Sequence, residues 1–300
     1  LLAETAFKIY NKKPKNLIAV TGTNGKSSVA NFYFQILKLN NKKVASIGTL
    51  GVKSKNINLN LSNTTIDPIK LAEILSKLKS NKIENVIMEA SSHGLKQNRL
   101  DGLKFNSGIF TNLSQDHLDY HKNLKNYLNA KLYLFENLIK KKGNVITDQL
   151  IPEFKKIKKI TINKRLKLYA LNDKKNNLQV ISHSFKGEAQ SFKIKLNNSI
   201  QNINLNLIGK IQLKNVLMAI IAAKCSGIGL DKILNTIPKL KPVEGRFEKI
   251  GKIKNQSKVI LDYAHTPDAL KTCLLNLREQ FPNKTITVLF GCGGNRDQNK

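Results

Sequence analysis

Seven consecutive residues, Thr21-Gly22-Thr23-Asn24-Gly25-Lys26-Ser27, place two glycines, a lysine and a hydroxyl in the order a phosphate-binding loop requires. Glycine lets backbone N–H groups turn toward phosphate oxygens, and a helix starting at the loop adds the positive end of its dipole. In such a loop Lys26 reaches the β- and γ-phosphates, Ser27 ligates Mg²⁺, and Ser28 opens the helix behind them. The common form of the loop has glycine five residues before its second glycine; Val20 stands there instead.

Four further segments carry chemistry. Glu89 closes an apolar run and is followed by Ala90-Ser91-Ser92-His93-Gly94; a carboxylate there is placed to hold a Mg²⁺ shared with nucleotide phosphates, or to serve as a charge at a helix N-terminus. The stretch from Thr111 to His121 contains Asp116, His117, Asp119 and His121, a set that suits either a metal or a solvated turn. Asp262-Tyr263-Ala264-His265-Thr266-Pro267 and Gly291-Cys292-Gly293-Gly294-Asn295-Arg296-Asp297 follow two more apolar runs. Their glycines permit close backbone approach, and Arg296 offers a bidentate grip on a carboxylate.

These segments need elements that hold them side by side. Apolar runs at 17–20, 44–47, 86–88 and 107–111 alternate with helical spacing at 28–39, 68–78 and 124–138. Strands alternating with helices predict a parallel sheet with right-handed crossovers, and ligands bind such a sheet outside the carboxyl ends of its strands. Residues 150–205 are lysine-rich and weakly periodic, which predicts an antiparallel insertion or a sheet edge. A helix is expected over 213–223. Pro238, Pro242 and Gly245 mark a boundary before runs at 259–261 and 286–290 that read as strands of a second α/β unit.

Composition narrows the partners. The 300 residues carry 51 Lys+Arg against 20 Asp+Glu, a net charge of +31, yet the arginines are only Arg99, Arg165, Arg246, Arg278 and Arg296. Base reading relies on arginine and on interleaved aromatic platforms, so solvated lysines are expected rather than a nucleic-acid partner. No apolar run reaches membrane-spanning length. Three separated cysteines suit a reducing cytoplasm. The sequence begins on Leu1 and stops inside the 291–297 motif, so a piece of a longer protein is expected.

Together these segments resemble the Mur ligases, most of all the type that adds a diamino acid to UDP-MurNAc-L-Ala-D-Glu. The resemblance is carried by Asn63-Thr64-Thr65-Ile66-Asp67-Pro68, by Ser91-Ser92-His93-Gly94-Leu95-Lys96-Gln97-Asn98-Arg99 and by Asp262-Tyr263-Ala264-His265-Thr266-Pro267-Asp268-Ala269-Leu270. Folate ligases share the loop without combining it with these three. The resemblance implies an α/β fold: a P-loop-type, mostly parallel central ATP-binding domain over 1–242 and the start of a Rossmann-like C-terminal domain over 243–300. The uridine-binding N-terminal domain and most of the C-terminal domain are expected outside this sequence.

The activity so implied is a cytoplasmic, monomeric, ATP- and Mg²⁺-dependent amide ligase of peptidoglycan precursor synthesis. It forms ADP and phosphate through an acyl phosphate, with meso-diaminopimelate as the commoner amine. Residue by residue, the resemblance puts Lys26 on the phosphates and Ser27, Glu89 and His117 around Mg²⁺. Lys131 matches a lysine that is carbamylated by CO₂ and then also faces the metal. Asn63, Thr64, Thr65, Ser91, Gln97 and Arg99 match muramoyl-dipeptide contacts, and Arg296 a contact to the diamino acid. Asn215 matches a base contact, with Gln212 where Asn is usual nearby, and Arg246 and Asp262 match phosphate and ribose contacts. Ile66 replaces a usual proline. The alternatives are a nucleotide-dependent binding or regulatory module, or another Mur or folate-type ligase.

Overall fold

Leu17, Ile18, Ala19 and Val20 are all buried in β1 (Asn16–Thr21), as expected of a strand covered on both faces. The computed structural model describes residues 1–172, 178–196 and 199–291. Around β1 stand β2 (Val44–Gly48), β3 (Gly51–Lys53), β4 (Asn58–Leu59), β5 (Asn85–Glu89), β6 (Phe105–Phe110), β7 (Ile139–Asp148) and β8 (Lys167–Leu171), in the order β4-β3-β2-β5-β1-β6-β7-β8. The pairs from β2 across to β8 are parallel, and β3 and β4 extend the sheet antiparallel at one edge.

Helices cover both faces. On one side α1 (Leu2–Ile9) and α3 (Pro68–Ser80) share a core with Leu128, Leu132 and Phe135. On the other, α2 (Lys26–Leu39) packs Val29, Phe32 and Ile36 against Val216, Met218 and Ile220 of α8 (Lys210–Cys225). Two short helices, α4 (Ser92–Lys96) and α5 (Leu118–His121), ride on loops. The helix expected over 124–138 forms as α6 (Leu124–Tyr133) and then widens into a π-helical turn over Leu134–Leu138. That turn carries Leu134, Phe135 and Leu138 into the core.

The 150–205 region resolves into both expected forms. After α7 (Phe154–Asn163), β8 adds in parallel to the sheet edge, whereas β9 (Leu178–Lys186), β10 (Ala189–Leu196) and β11 (Ser199–Leu205) make a separate antiparallel sheet. Past α9 (Leu230–Leu234), β12 (Glu248–Lys252) and β13 (Lys258–Leu261) form a hairpin ahead of α10 (Pro267–Gln280). The strand expected over 286–290 is a correction: these residues take no regular structure. A strand needs a paired neighbour, and here Val288, Leu289 and Phe290 stand exposed. Among the described residues of this second unit, β12 and β13 pair antiparallel. No described helix is long and apolar enough to cross a membrane.

Candidate active site

Because β1, β2, β5 and β6 run parallel, their carboxyl ends and the loops after them share one sheet edge. The phosphate loop lies there, and the segment after β6 holds it. Thr23 N donates to Asn112 O (3.0 Å) and Asn24 N to Asn112 Oδ1 (2.9 Å), while Thr111 Oγ1 donates to Asn24 O (2.6 Å). Ser114 N donates to Thr23 Oγ1 (3.0 Å). A side chain on Gly22 would collide with Thr111 Oγ1. Gly25, in left-handed backbone at φ 86°, ends the loop at the head of α2, which has no side-chain cap. Its first-turn amides are left for an anion.

Three cations converge here. Lys26 Nζ donates to Gly22 O (3.0 Å) and Thr23 O (2.9 Å), and Lys131 Nζ donates to the same Gly22 O (2.7 Å). Lys131, on α6, is 1% exposed, with its ammonium 4.2 Å from the Tyr127 ring centre. Burial first, and then Lys26, holds its pKa well below the ordinary lysine value, against a weaker opposite pull from Asp116. Burial lowers Lys26 as well, opposed by Glu89 and Asp116. The third cation, Arg246, lies over the Tyr263 ring at 4.3 Å; burial lowers its pKa, with Asp262 and Glu89 opposing.

Opposite them, Glu89 at the end of β5 is 3% exposed and accepts from Ser27 Oγ (3.1 Å). His117, in left-handed backbone, is pushed down to about 4 by burial and faces Asp116 Oδ2 at 3.4 Å. One buried and two half-buried cationic side chains around a loop of donors fit a polyanion, and the Ser27–Glu89 pair and neutral His117 are hard-oxygen and imidazole donors that fit Mg²⁺. Burial weakens the hold of Lys131 on its proton, which favours the neutral amine that reacts with CO₂. Among the described residues no three His, Cys, Asp or Glu side chains already form a metal cluster; of the expected metal set, the structure directly pairs Ser27 with Glu89. Thr21 Oγ1, fully buried beside the loop, has no partner, and Ser28 is buried in the first turn of α2.

The residues matched to the dipeptide lie alongside. Thr64 Oγ1 meets Thr49 Oγ1 at 3.0 Å, Arg99 Nη1 donates to Thr65 O (2.5 Å), and Gln97 Nε2 donates to Tyr120 OH (3.2 Å). Asn63 is exposed. Thr65 and Ser91 are engaged within the fold as well. Thr65 Oγ1 donates to Glu89 O (2.8 Å) and accepts from Ser91 N (2.9 Å), while Ser91 Oγ caps α4 through Gly94 N. Asn215 packs on Gly25 and donates to Gln212 Oε1 (3.0 Å), and Gln212 donates to Arg246 O (3.1 Å). Asp262 accepts from Phe247 N and Ala264 N, both at 2.9 Å, and fixes its own turn. Arg296 lies outside the described residues. Sequence reasoning missed Thr49, Asn112 and Tyr127, whose hydroxyl meets Thr23 Oγ1 at 3.3 Å; only the adjacency of β2, β5, β1 and β6 brings them in.

The model for the Mur ligase middle domain matches residues 20–223, and that for the glutamate ligase domain of Mur ligases matches 245–300. The chain belongs to the Mur ligase family. It is 42% identical over 299 residues to the UDP-N-acetylmuramoyl-L-alanyl-D-glutamate--2,6-diaminopimelate ligase of Rickettsia montanensis, covering 97% of this chain and 61% of that one. Against the ligase of the same name from Leptospira interrogans, identity is 37%, with 97% and 58% covered. The chain thus spans less than two thirds of the length of these curated family members. A solved structure of a ligase of that name superposes with TM-score 0.78 at 29% identity, over 98% of this chain and 60% of the other. MurF from Acinetobacter baumannii (TM-score 0.72, 93% and 57% covered) and an FPGS–AMPPCP–folate complex (0.75, 93% and 75%) share the fold at 16% identity.

Proposed function

We propose that this chain carries the nucleotide-binding and amide-forming core of an ATP-dependent ligase that joins a diamino acid to UDP-MurNAc-L-Ala-D-Glu. The observation that carries the proposal is the meeting of Lys26 and Lys131 on one carbonyl, Gly22 O, beside the Ser27–Glu89 pair. Lys26, the amides at the head of α2 and Arg246 take up the negative charge of ATP. Ser27, Glu89 and His117 would hold Mg²⁺, which would supply positive charge to offset the negative charge of the phosphate oxygens. Lys131, after losing its ammonium proton to solvent, would add CO₂ through its amine nitrogen and release a second proton, so that a carbamate replaces the buried cation and could serve as a carboxylate-like donor for the metal.

Asn63, Thr64, Thr65, Ser91, Gln97 and Arg99 orient the D-Glu carboxylate toward the γ-phosphorus. The carboxylate oxygen bonds to phosphorus as the bond to ADP breaks. The amine then attacks the acyl carbon, phosphate leaves with its bridging oxygen, and the amine proton passes to solvent. Asn215 lies against the base, and Arg246 and Asp262 against phosphate and ribose. We assign the reaction to residues 1–242 and the nucleotide-covering groups to 243–300, with Arg296 on the incoming amine. The names of the relatives favour 2,6-diaminopimelate as the amine. We place the activity in the cytoplasm, in a monomer.

The test uses the protein expressed from its full reading frame. Phosphate release is assayed with UDP-MurNAc-L-Ala-D-Glu and each diamino acid. Release that needs all three substrates is expected; Lys131→Ala should abolish it and short carboxylic acids should partly restore it. Nucleotide binding without release for any amine would leave a nucleotide-dependent binding module instead.

A further inference from the structure

Glu89 is held by more than its partner in the phosphate loop. Thr49, the first residue after β2, donates its backbone N–H to Glu89 Oε1 (3.0 Å) and its hydroxyl to Glu89 Oε2 (3.3 Å). The neighbouring Gly48 leaves the space this needs, because a side chain there would run into the Glu89 carboxylate. On its other side Thr49 Oγ1 meets Thr64 Oγ1 at 3.0 Å. One exposed hydroxyl therefore stands between a carboxylate on the nucleotide side and a half-buried threonine on the muramoyl-dipeptide side.

The order of donors in this chain is fixed by its end. A carboxylate only accepts, so the Thr49 proton goes to Glu89 and Thr49 Oγ1 must accept from Thr64. With its own proton used, Thr64 Oγ1 can only accept from a further group. We infer that Thr49 is a positioning residue that ties Glu89 to the dipeptide subsite, and that through it Thr64 presents an acceptor to an N–H group of that substrate. The inference rests on the ligase reading above. It makes the orientation of the Glu89 carboxylate depend on the occupant of the dipeptide subsite, by a side-chain path through Thr49 that is separate from the bond of Thr65 to the Glu89 backbone carbonyl. A simple surface threonine would need neither the paired bond to Glu89 nor the contact to Thr64.

Thr49 is exposed, so Thr49→Val removes the hydroxyl while sparing the core and keeping the backbone bond. The test is made on the protein from its full reading frame, with Thr49→Val, Thr49→Ser, Thr64→Val and the double valine variant. Losing the Thr49 bond to the Glu89 carboxylate, or the Thr64 hydroxyl that continues it toward the substrate, should raise the KM for UDP-MurNAc-L-Ala-D-Glu about tenfold in each single valine variant. The double variant should be no worse than either alone, because the two act as one chain. Thr49→Val, more than Thr64→Val, should also raise the Mg²⁺ concentration needed for half-maximal rate, and Thr49→Ser should behave as wild type. A substrate N-methylated at its amides should bind less well to wild type but not to Thr64→Val.

Unchanged KM in Thr49→Val, effects that multiply in the double variant, or Thr49→Ser as impaired as Thr49→Val would each overturn the inference. If the wild-type protein releases no phosphate with any amine, the ligase reading falls. Calorimetric titration of UDP-MurNAc-L-Ala-D-Glu into wild type and Thr49→Val then still decides the inference: equal affinities, or none in either, overturn it.

Discussion

The carboxyl edge of the central sheet and the hairpin–helix unit after residue 243 are built in opposite ways. At the sheet edge, Thr21, Thr23, Ser27, Ser28, Glu89, Thr111, Asp116 and Lys131 are all buried polar groups, packed against strands that are themselves buried. The hairpin–helix unit has a thin apolar contact, with Ile208, Phe247 and Cys273 as its buried members. It docks instead by polar bonds to the head of α8: Asn276 Oδ1 accepts from Ile211 N and Gln280 Oε1 from Gly209 N, both at 2.8 Å. Lys210 pairs with Glu279 at 2.9 Å. Phosphoryl chemistry rewards groups fixed before the substrate arrives, whereas the hairpin–helix unit rests on a few polar bonds with little apolar surface behind them.

The largest test of this contrast removes charge from the rigid edge. Lys131→Met should lower kcat about a thousandfold, as expected for loss of a group that stabilises transition-state charge. The same variant should melt at or above the wild-type temperature, since an apolar isostere of a buried cation is often neutral or stabilising. A matched fall in stability would make Lys131 a structural residue. Next in size is a pair of glycine substitutions read by denaturant unfolding. Gly22→Ala, at φ 143° and against Thr111, should cost about 3 kcal/mol through strain and overpacking. Gly245→Ala, at φ 63° with open space around it, should cost about 1 kcal/mol from left-handed backbone alone. Equal costs would mean that the two regions are equally tight.

The same contrast explains what could be read before the fold was known. The loop, Glu89 and the helix behind them are local signals, so the sequence places them correctly, as it does the parallel sheet. The convergence of Lys131 on Gly22 joins residues 109 positions apart, and no spacing rule reaches that far. Thr49 reads as an ordinary turn until β2 lies beside β5. The apolar run at 286–290 shows the opposite failure, because composition favours a strand but pairing decides one.

Smaller effects come from the docking bonds and from protonation. Asn276→Ala with Gln280→Ala removes two caps on α8 and should cost about 2 kcal/mol. In steady-state assays it should raise the KM for ATP severalfold while leaving kcat nearly unchanged. His121, buried against Ser92 Oγ at 3.0 Å, is pushed down to about 4 chiefly by burial. The unfolded chain, with histidine near 6.5, therefore binds the proton first. Stability present above about pH 6.5 should fall as pH drops toward about 4, and His121→Gln should flatten that slope in urea titrations.

The proposed transfer hands the γ-phosphoryl group to a substrate carboxylate, not to water, at this sheet edge. It is tested most directly by supplying UDP-MurNAc-L-Ala-D-Glu with both oxygens of the D-Glu acceptor carboxylate labelled with ¹⁸O and weighing the phosphate released. An acyl phosphate requires a single labelled oxygen in each phosphate and the other retained in the new amide. Unlabelled phosphate, with both labelled oxygens still on the unreacted dipeptide, would contradict the account.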